Sequence, residues 1–172
     1  EFSAIIQKNT EELMQLVNDV LDLSRLEANM MKFQIQEYDA VALCNDAIYM
    51  ARMRNEETIE IYFDTHIETQ PITTDTGRLI QALVSTLTYP QKNTAHREIT
   101  FTLTRDDSGK QICFRISNSP LADPEFNSQE VSIRHDINRL LLQHFGGSYN
   151  ITADEQERPV INFTYPLDII SE

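Results

Sequence analysis

Four histidines, two cysteines and a Tyr-Pro pair are the residues through which this sequence could do chemistry. His66, His96, His135 and His144 are scattered at spacings that match no zinc motif. No Ser/His/Asp or Cys/His set stands out as a nucleophile with its base. Cys44 in DAVALCNDAI and Cys113 in KQICFRIS lie far apart among apolar neighbours and outside any C-x-x-C spacing. Both are expected as reduced thiols buried in a core. The Tyr-Pro pair, Tyr89 and Pro90 in TLTYPQKNTAH, falls where a run of helical signals breaks off. Pro90 accounts for the break, because the residue before a proline is pushed out of the α region.

The chain that must position these groups has 172 residues, 41% of them hydrophobic, enough for one core of ordinary size plus an appendage. Its 27 acidic residues against 14 basic ones give a formal net charge of -13. Long-range attraction to nucleic acid or an anionic membrane surface is therefore disfavoured, and a polyanionic ligand must find local cations. No apolar run is long enough to span a bilayer and no secretory signal is visible. The expected location is the cytoplasmic portion of a protein whose anchor, if it has one, lies outside this segment. EFSAIIQKNT reads as helix without a capping signal, as a piece of a longer chain would.

From Phe2 to about Asn29, Ile6, Leu13, Leu16, Val20 and Leu23 recur at helical spacings, with Met14, Val17 and Leu21 widening the stripe. A helix of this length runs roughly 40 Å. It outruns a small domain and needs other helices beside it, most simply those of a second copy. No glycine or proline interrupts Phe2 to Gln36, which leaves the helix free to continue. MKFQIQEYD reads as a short strand through Phe33, Ile35 and Tyr38, and Asp39 caps a second helix. TIEIYFDTH alternates as a half-buried strand. QPITTDTGRLIQALVSTL is a short strand and then a helix capped by Asp75 or Thr76. REITFTLTRDDSGKQICFRISN is a β-hairpin, VSIRHDINRLLLQHFGG a helix stopped by a glycine pair, and SYNIT with PVINFTYPL a second hairpin. The loop between Asn118 and Glu130 is rich in Ser, Pro, Asp and Asn and reads as a polar connection. The string predicts an α+β fold, a two-layer sandwich of a mixed sheet with helices on one face, preceded by a long N-terminal helix.

NTEELMQLVNDVLDLSRLEAN resembles the second helix of the dimerisation and phosphotransfer hairpin of sensor histidine kinases, with Asn9, Leu13, Leu16, Asn18, Asp19, Leu21, Asp22, Ser24, Arg25 and Glu27 in pattern. MKFQIQEYDAVALCNDAI, DTGRLIQALVSTLTYPQKNT and QHFGGSYNI resemble successive parts of that family's ATP-binding domain. The resemblance implies the ATPase sandwich of the histidine kinase and gyrase type. It divides the chain into residues 1–30, the second hairpin helix, and residues 31–172, the ATPase-like domain. The family's phosphoacceptor histidine sits on the first hairpin helix, ahead of the residues present here.

The family's nucleotide boxes, carried over position by position, are altered. The asparagine box becomes Ser85 to Thr94. Tyr89 stands at the Mg²⁺ ligand, a poor role for a neutral phenol, and Ser85 replaces an earlier asparagine. Lys92 survives, either as a phosphate contact or as an ordinary surface lysine. At the first glycine box Asn118 replaces the aspartate that accepts from adenine, losing about 1 kcal/mol of charge assistance. Pro120 and Ala122 replace glycines. At the second, Ser132-Ile133-Arg134-His135 carries no glycine, and Arg134 is suited equally to phosphate, to filling the space or to pairing with local carboxylates. Only PLADPEFNSQEV spans the gap where the family has a longer lid.

No catalytic residue and no metal ligand is therefore assigned, and no cofactor is expected. The leading expectation is a pseudokinase module of a two-component system that dimerises through its N-terminal helix and relays signals to a response regulator or an attached sensor domain. The alternative is an active ATP-dependent protein-histidine kinase that uses Mg²⁺ with Asn118, Lys92 and Arg134.

Overall fold

A computed structural model describes residues 2–55 and 58–167. Helix α1 (Phe2–Glu27) leads into strand β1 (Gln36–Asp39), helix α2 (Ala40–Asn55), strands β2 (Ile59–Thr65) and β3 (Pro71–Thr74), and helix α3 (Thr76–Thr86). Strands β4 (Arg97–Arg105) and β5 (Gln111–Ser117) follow. Two short 3-10 turns then precede helix α4 (Gln129–His144) and strands β6 (Ser148–Ala153) and β7 (Pro159–Pro166). The expected fold class and element order are observed.

Five strands form a mixed sheet in the order β2-β4-β5-β7-β6, parallel between β2 and β4 and antiparallel elsewhere. Strand alternation decides its two faces. Ile99, Phe101, Leu103, Ile112, Phe114, Ile116, Ile161 and Phe163 are fully buried on one face, against the apolar sides of α2, α3 and α4, while the intervening polar residues face out. Cys113 belongs to that outer set and is only half-buried, which corrects the expectation of a core thiol. Cys44 is buried as expected, and burial pushes its thiol pKa up, so it stays protonated. A separate antiparallel pair, β1 with β3, closes one end.

The caps are written in the sequence. Asp39 accepts from the amides of Val41 and Ala42, and Asp75 accepts from Arg78 N at 3.0 Å. Gly146, at φ +83°, ends α4 with a Schellman pair, Gly147 N to Leu142 O and Gly146 N to Gln143 O. Gly147 is equally fixed, since a Cβ there would lie 2.0 Å from the Thr164 carbonyl oxygen.

α1 does not run on. Asn29 takes the left-handed conformation at φ +58°, and Met30 N and Asn29 N return to Arg25 O and Leu26 O. This is the same cap with asparagine in place of glycine. The strand expected from Phe33 shifts to Gln36–Asp39, because Phe33 is drawn into a ring stack on His144 at 4.3 Å.

Candidate functional site

The C-terminal end of α3 sets the first group of candidate residues. Ser85 turns its Oγ to the Ala82 carbonyl at 2.6 Å and accepts from Asn138 Nδ2 at 3.1 Å. α3 stops at Thr86, ahead of the proline, with Leu87 as C-cap. The loop that follows carries Tyr89, whose hydroxyl donates to the Ala95 carbonyl at 2.7 Å and so closes the loop on itself. The Tyr89 ring packs edge-on against Phe126 at 5.4 Å, with the Arg97 guanidinium 5.7 Å from its centre. Lys92 lies exposed on the same loop and makes no hydrogen bond or ion pair with another described residue.

Asn118, at the end of β5, adopts φ +64°. Both faces of its amide are engaged: Nδ2 donates to the Glu98 carbonyl at 3.0 Å, and Oδ1 accepts from Arg97 at 3.1 Å. Arg97 also donates to the Asn118 carbonyl at 2.9 Å and forms an ion pair with Asp123. The Asn118 amide oxygen, the atom that would accept from a base, is thus held by an internal guanidinium.

The segment after Asn118 is not a solvated loop. Ser119 caps the turn Pro120–Ala122 and gives its hydroxyl to the Thr86 carbonyl at 2.7 Å, and Asp123 caps the turn Pro124–Phe126. Ser119, Pro120, Leu121 and Phe126 are buried. A stretch that reads as polar in one dimension folds down because its three apolar side chains fall on one side of two short turns.

α4 is capped by Ser128, so Ser132 to His135 lie inside the helix. The Ser132 amide already bonds the Ser128 carbonyl at 3.1 Å, and its side chain is exposed. Arg134 points to α1 and donates to Asp19 at 2.6 Å, both side chains being 11% exposed. One helical turn on, Asp22 accepts from Arg78 of α3 at 2.9 Å. The next residue of α4, His135, makes two polar contacts of its own. His135 Nε2 lies 3.2 Å from the Leu121 carbonyl and Nδ1 lies 2.7 Å from the Tyr149 hydroxyl, which fits an Nε2–H donor and an Nδ1 acceptor. Burial lowers the His135 pKa and raises that of Tyr149.

These positions do not converge on one cavity. Tyr89 and Asn118 line an open hollow of about 350 Å³ together with Arg97, Phe126 and Arg158, whereas Ser85, Lys92, Ser132 and Arg134 do not line it. Arg134 borders a narrow crevice with Leu26, Met31 and Arg78. Arg97, Asp123 and Asn138 were missed in the sequence because nothing in their local patterns sets them apart. Asp19 was matched in the resemblance, and its partner could not be known.

α1 divides its apolar stripe. Leu16 and Leu23 are half-buried on the side that carries Asp19 and Leu26 toward α4, while Ile6, Leu13 and Val20 are exposed together with Phe2, Ile5, Met14, Val17 and Leu21.

No protein-family model matches the chain. Among curated proteins, an uncharacterised sensor-like histidine kinase, ycf26, of Pyropia yezoensis is 38% identical over 65 residues, 37% of this chain and 10% of that protein. Hybrid signal transduction histidine kinase A of Dictyostelium discoideum is 25% identical over 109 residues, 63% of this chain and 5% of that protein. The chain thus spans a small fraction of the curated relatives it matches.

Among solved structures, histidine kinase AdeS of Acinetobacter baumannii superposes with TM-score 0.71 at 14% identity, over 97% of this chain and 84% of that one. Full-length ShkA in complex with AMPPNP gives TM-score 0.77 at 19% identity, over 99% of this chain and 39% of that one. Histidine kinase ThkA in complex with the response regulator TrrA gives 0.69 at 15%, over 95% and 50%. At these identities the solved structures speak for the fold, and the curated relatives for the sequence. In sequence the chain is similar to stretches of sensor histidine kinases, and in fold to their catalytic domain with a long helix ahead of it.

Proposed function

We propose that this chain is the C-terminal region of a two-component sensor histidine kinase and works as a pseudokinase module. Residues 1–30 form a dimerisation helix, and residues 31–172 an ATPase-like domain that relays conformation without binding Mg-ATP; Glu1, 56–57 and 168–172 lie outside the described residues. The observation that carries this reading is the internal use of the groups that stand at the family's nucleotide positions: Arg134 is paired with Asp19, and Asn118 Oδ1 is held by Arg97. Tyr89, at the family's metal position, spends its hydroxyl on the Ala95 carbonyl. A polyanion entering here must displace charge-assisted bonds already made.

The exposed apolar side of α1 supports a second copy as partner. The likeness to a kinase solved with its response regulator supports such a regulator as the downstream partner. No described helix is long and apolar enough to cross a membrane. Thermal unfolding tests the central point. A ligand at a hundred times its Kd stabilises a fold by about 2.7 kcal/mol; without binding, the Tm is expected to stay unchanged in millimolar Mg-ATP. A clear upward shift, absent with Mg²⁺ alone, favours the active kinase instead.

A further inference from the structure

The geometry points to a divalent-cation site formed by Glu60, His96 and Glu98 on the open face of the sheet. Glu60 and Glu98 are direct partners in the parallel β2·β4 ladder, and His96 precedes Glu98 by two residues at the entry to β4. Residues two apart along an extended strand share a face. The ladder therefore fixes the Cβ atoms of Glu60 and Glu98 as neighbours, and His96, one residue ahead of β4, joins them from the end of the preceding loop. One donor atom from each of the three lies within 4.8 Å of the others. Two ligands each about 2.1 Å from an ion stand at most about 4.2 Å apart, so small side-chain rotations complete the set.

The charge arrangement gives an independent reason for a cation. Two carboxylates directly opposite in a ladder repel, and the chain as a whole carries -13. Among the described residues no lysine or arginine forms an ion pair with either glutamate; the contact to Glu98 is His96 Nε2 at 3.6 Å. The Tyr62 hydroxyl donates to the Glu60 carboxylate and leaves its other oxygen for a ligand. One imidazole with two carboxylates suits Zn²⁺ and similar borderline ions and not Mg²⁺, which keeps to oxygen. Three exposed protein ligands leave the remaining positions to water. An ion bound here ties the end of the Tyr89 loop to β2. His96 and Glu98 border the same hollow as Tyr89 and Asn118, but cation binding by these side chains does not rest on the nucleotide reading.

The test is calorimetric titration of the chelator-treated chain with Zn²⁺ in a non-coordinating buffer. One equivalent is expected to bind in the micromolar range, at least tenfold more weakly in His96→Ala and in Glu60→Gln, with His66→Ala unchanged. All three ligands are exposed, and circular dichroism of each variant is expected to match the parent. Absence of saturable one-equivalent binding, or equal affinity in His96→Ala and Glu60→Gln, overturns the assignment.

Discussion

Tyr89 shows how one side chain can hold a loop in shape. Its ring is half-buried between Phe126 and Arg97, and its hydroxyl bond spans six residues of its own loop. Tyr89→Ala is expected to cost about 2 kcal/mol of stability, less than a fully buried aromatic, while Tyr89→Phe costs about 1 kcal/mol or less. Denaturant titration of both variants checks the order. His135 sets a pH dependence. Its folded pKa lies below the ordinary histidine value, chiefly through burial, with Arg139 acting in the same direction and the Leu121 carbonyl and Asp136 opposing. Between the ordinary value and the folded one, the unfolded chain binds more protons, so stability falls as pH drops through that window. His135→Gln is expected to flatten the decline, read from unfolding midpoints between about pH 7 and pH 5. Tyr89, Asn118 and Arg134 stand out in the sequence as candidate positions. Their partners do not, because Asp19, Arg97 and Ala95 are brought to them by tertiary packing and by a loop closing on itself.

At the scale of elements, α1 is fastened to the rest of the chain by acids one turn apart, Asp19 to Arg134 of α4 and Asp22 to Arg78 of α3. The first pair is largely shielded from solvent, so Asp19→Asn is expected to loosen α1 by about 2 kcal/mol, more than Asp22→Asn at about 1 kcal/mol. Hydrogen exchange along α1 reads this directly, and an Asp19→Arg/Arg134→Asp exchange is expected to recover part of the protection. The periodicities that gave the helices and strands survive because burial follows them: the alternating residues of β4 and β5 are the core. Two boundaries were hidden. Asn29 ends α1 in a conformation usually left to glycine, and the segment after Asn118 folds into capped turns although its composition reads as loop. The glutamate–histidine cluster was equally out of reach. Glu60 is distant in sequence from His96 and Glu98, and only the parallel pairing of β2 with β4 brings it to them.

For the whole molecule, the order of elements was enough to name the sandwich, since few arrangements bury both a mixed sheet and its helices. On oligomeric state the sequence offers only a stripe too broad for one seam. In the fold one side of that stripe faces α4 and the other, with Leu13 at 59% exposure, stands open. A dimer through α1 is expected in light scattering, and Leu13→Asp with Val20→Asp is expected to give a monomer with unchanged circular dichroism. Whether Mg-ATP can bind over the internal contacts of Tyr89, Asn118 and Arg134 is tested most directly by calorimetric titration with Mg-ATP, with Mg²⁺ alone as reference. No saturable heat is expected up to millimolar ligand. Low-micromolar binding that is lost in Lys92→Ala or Arg134→Ala contradicts the account.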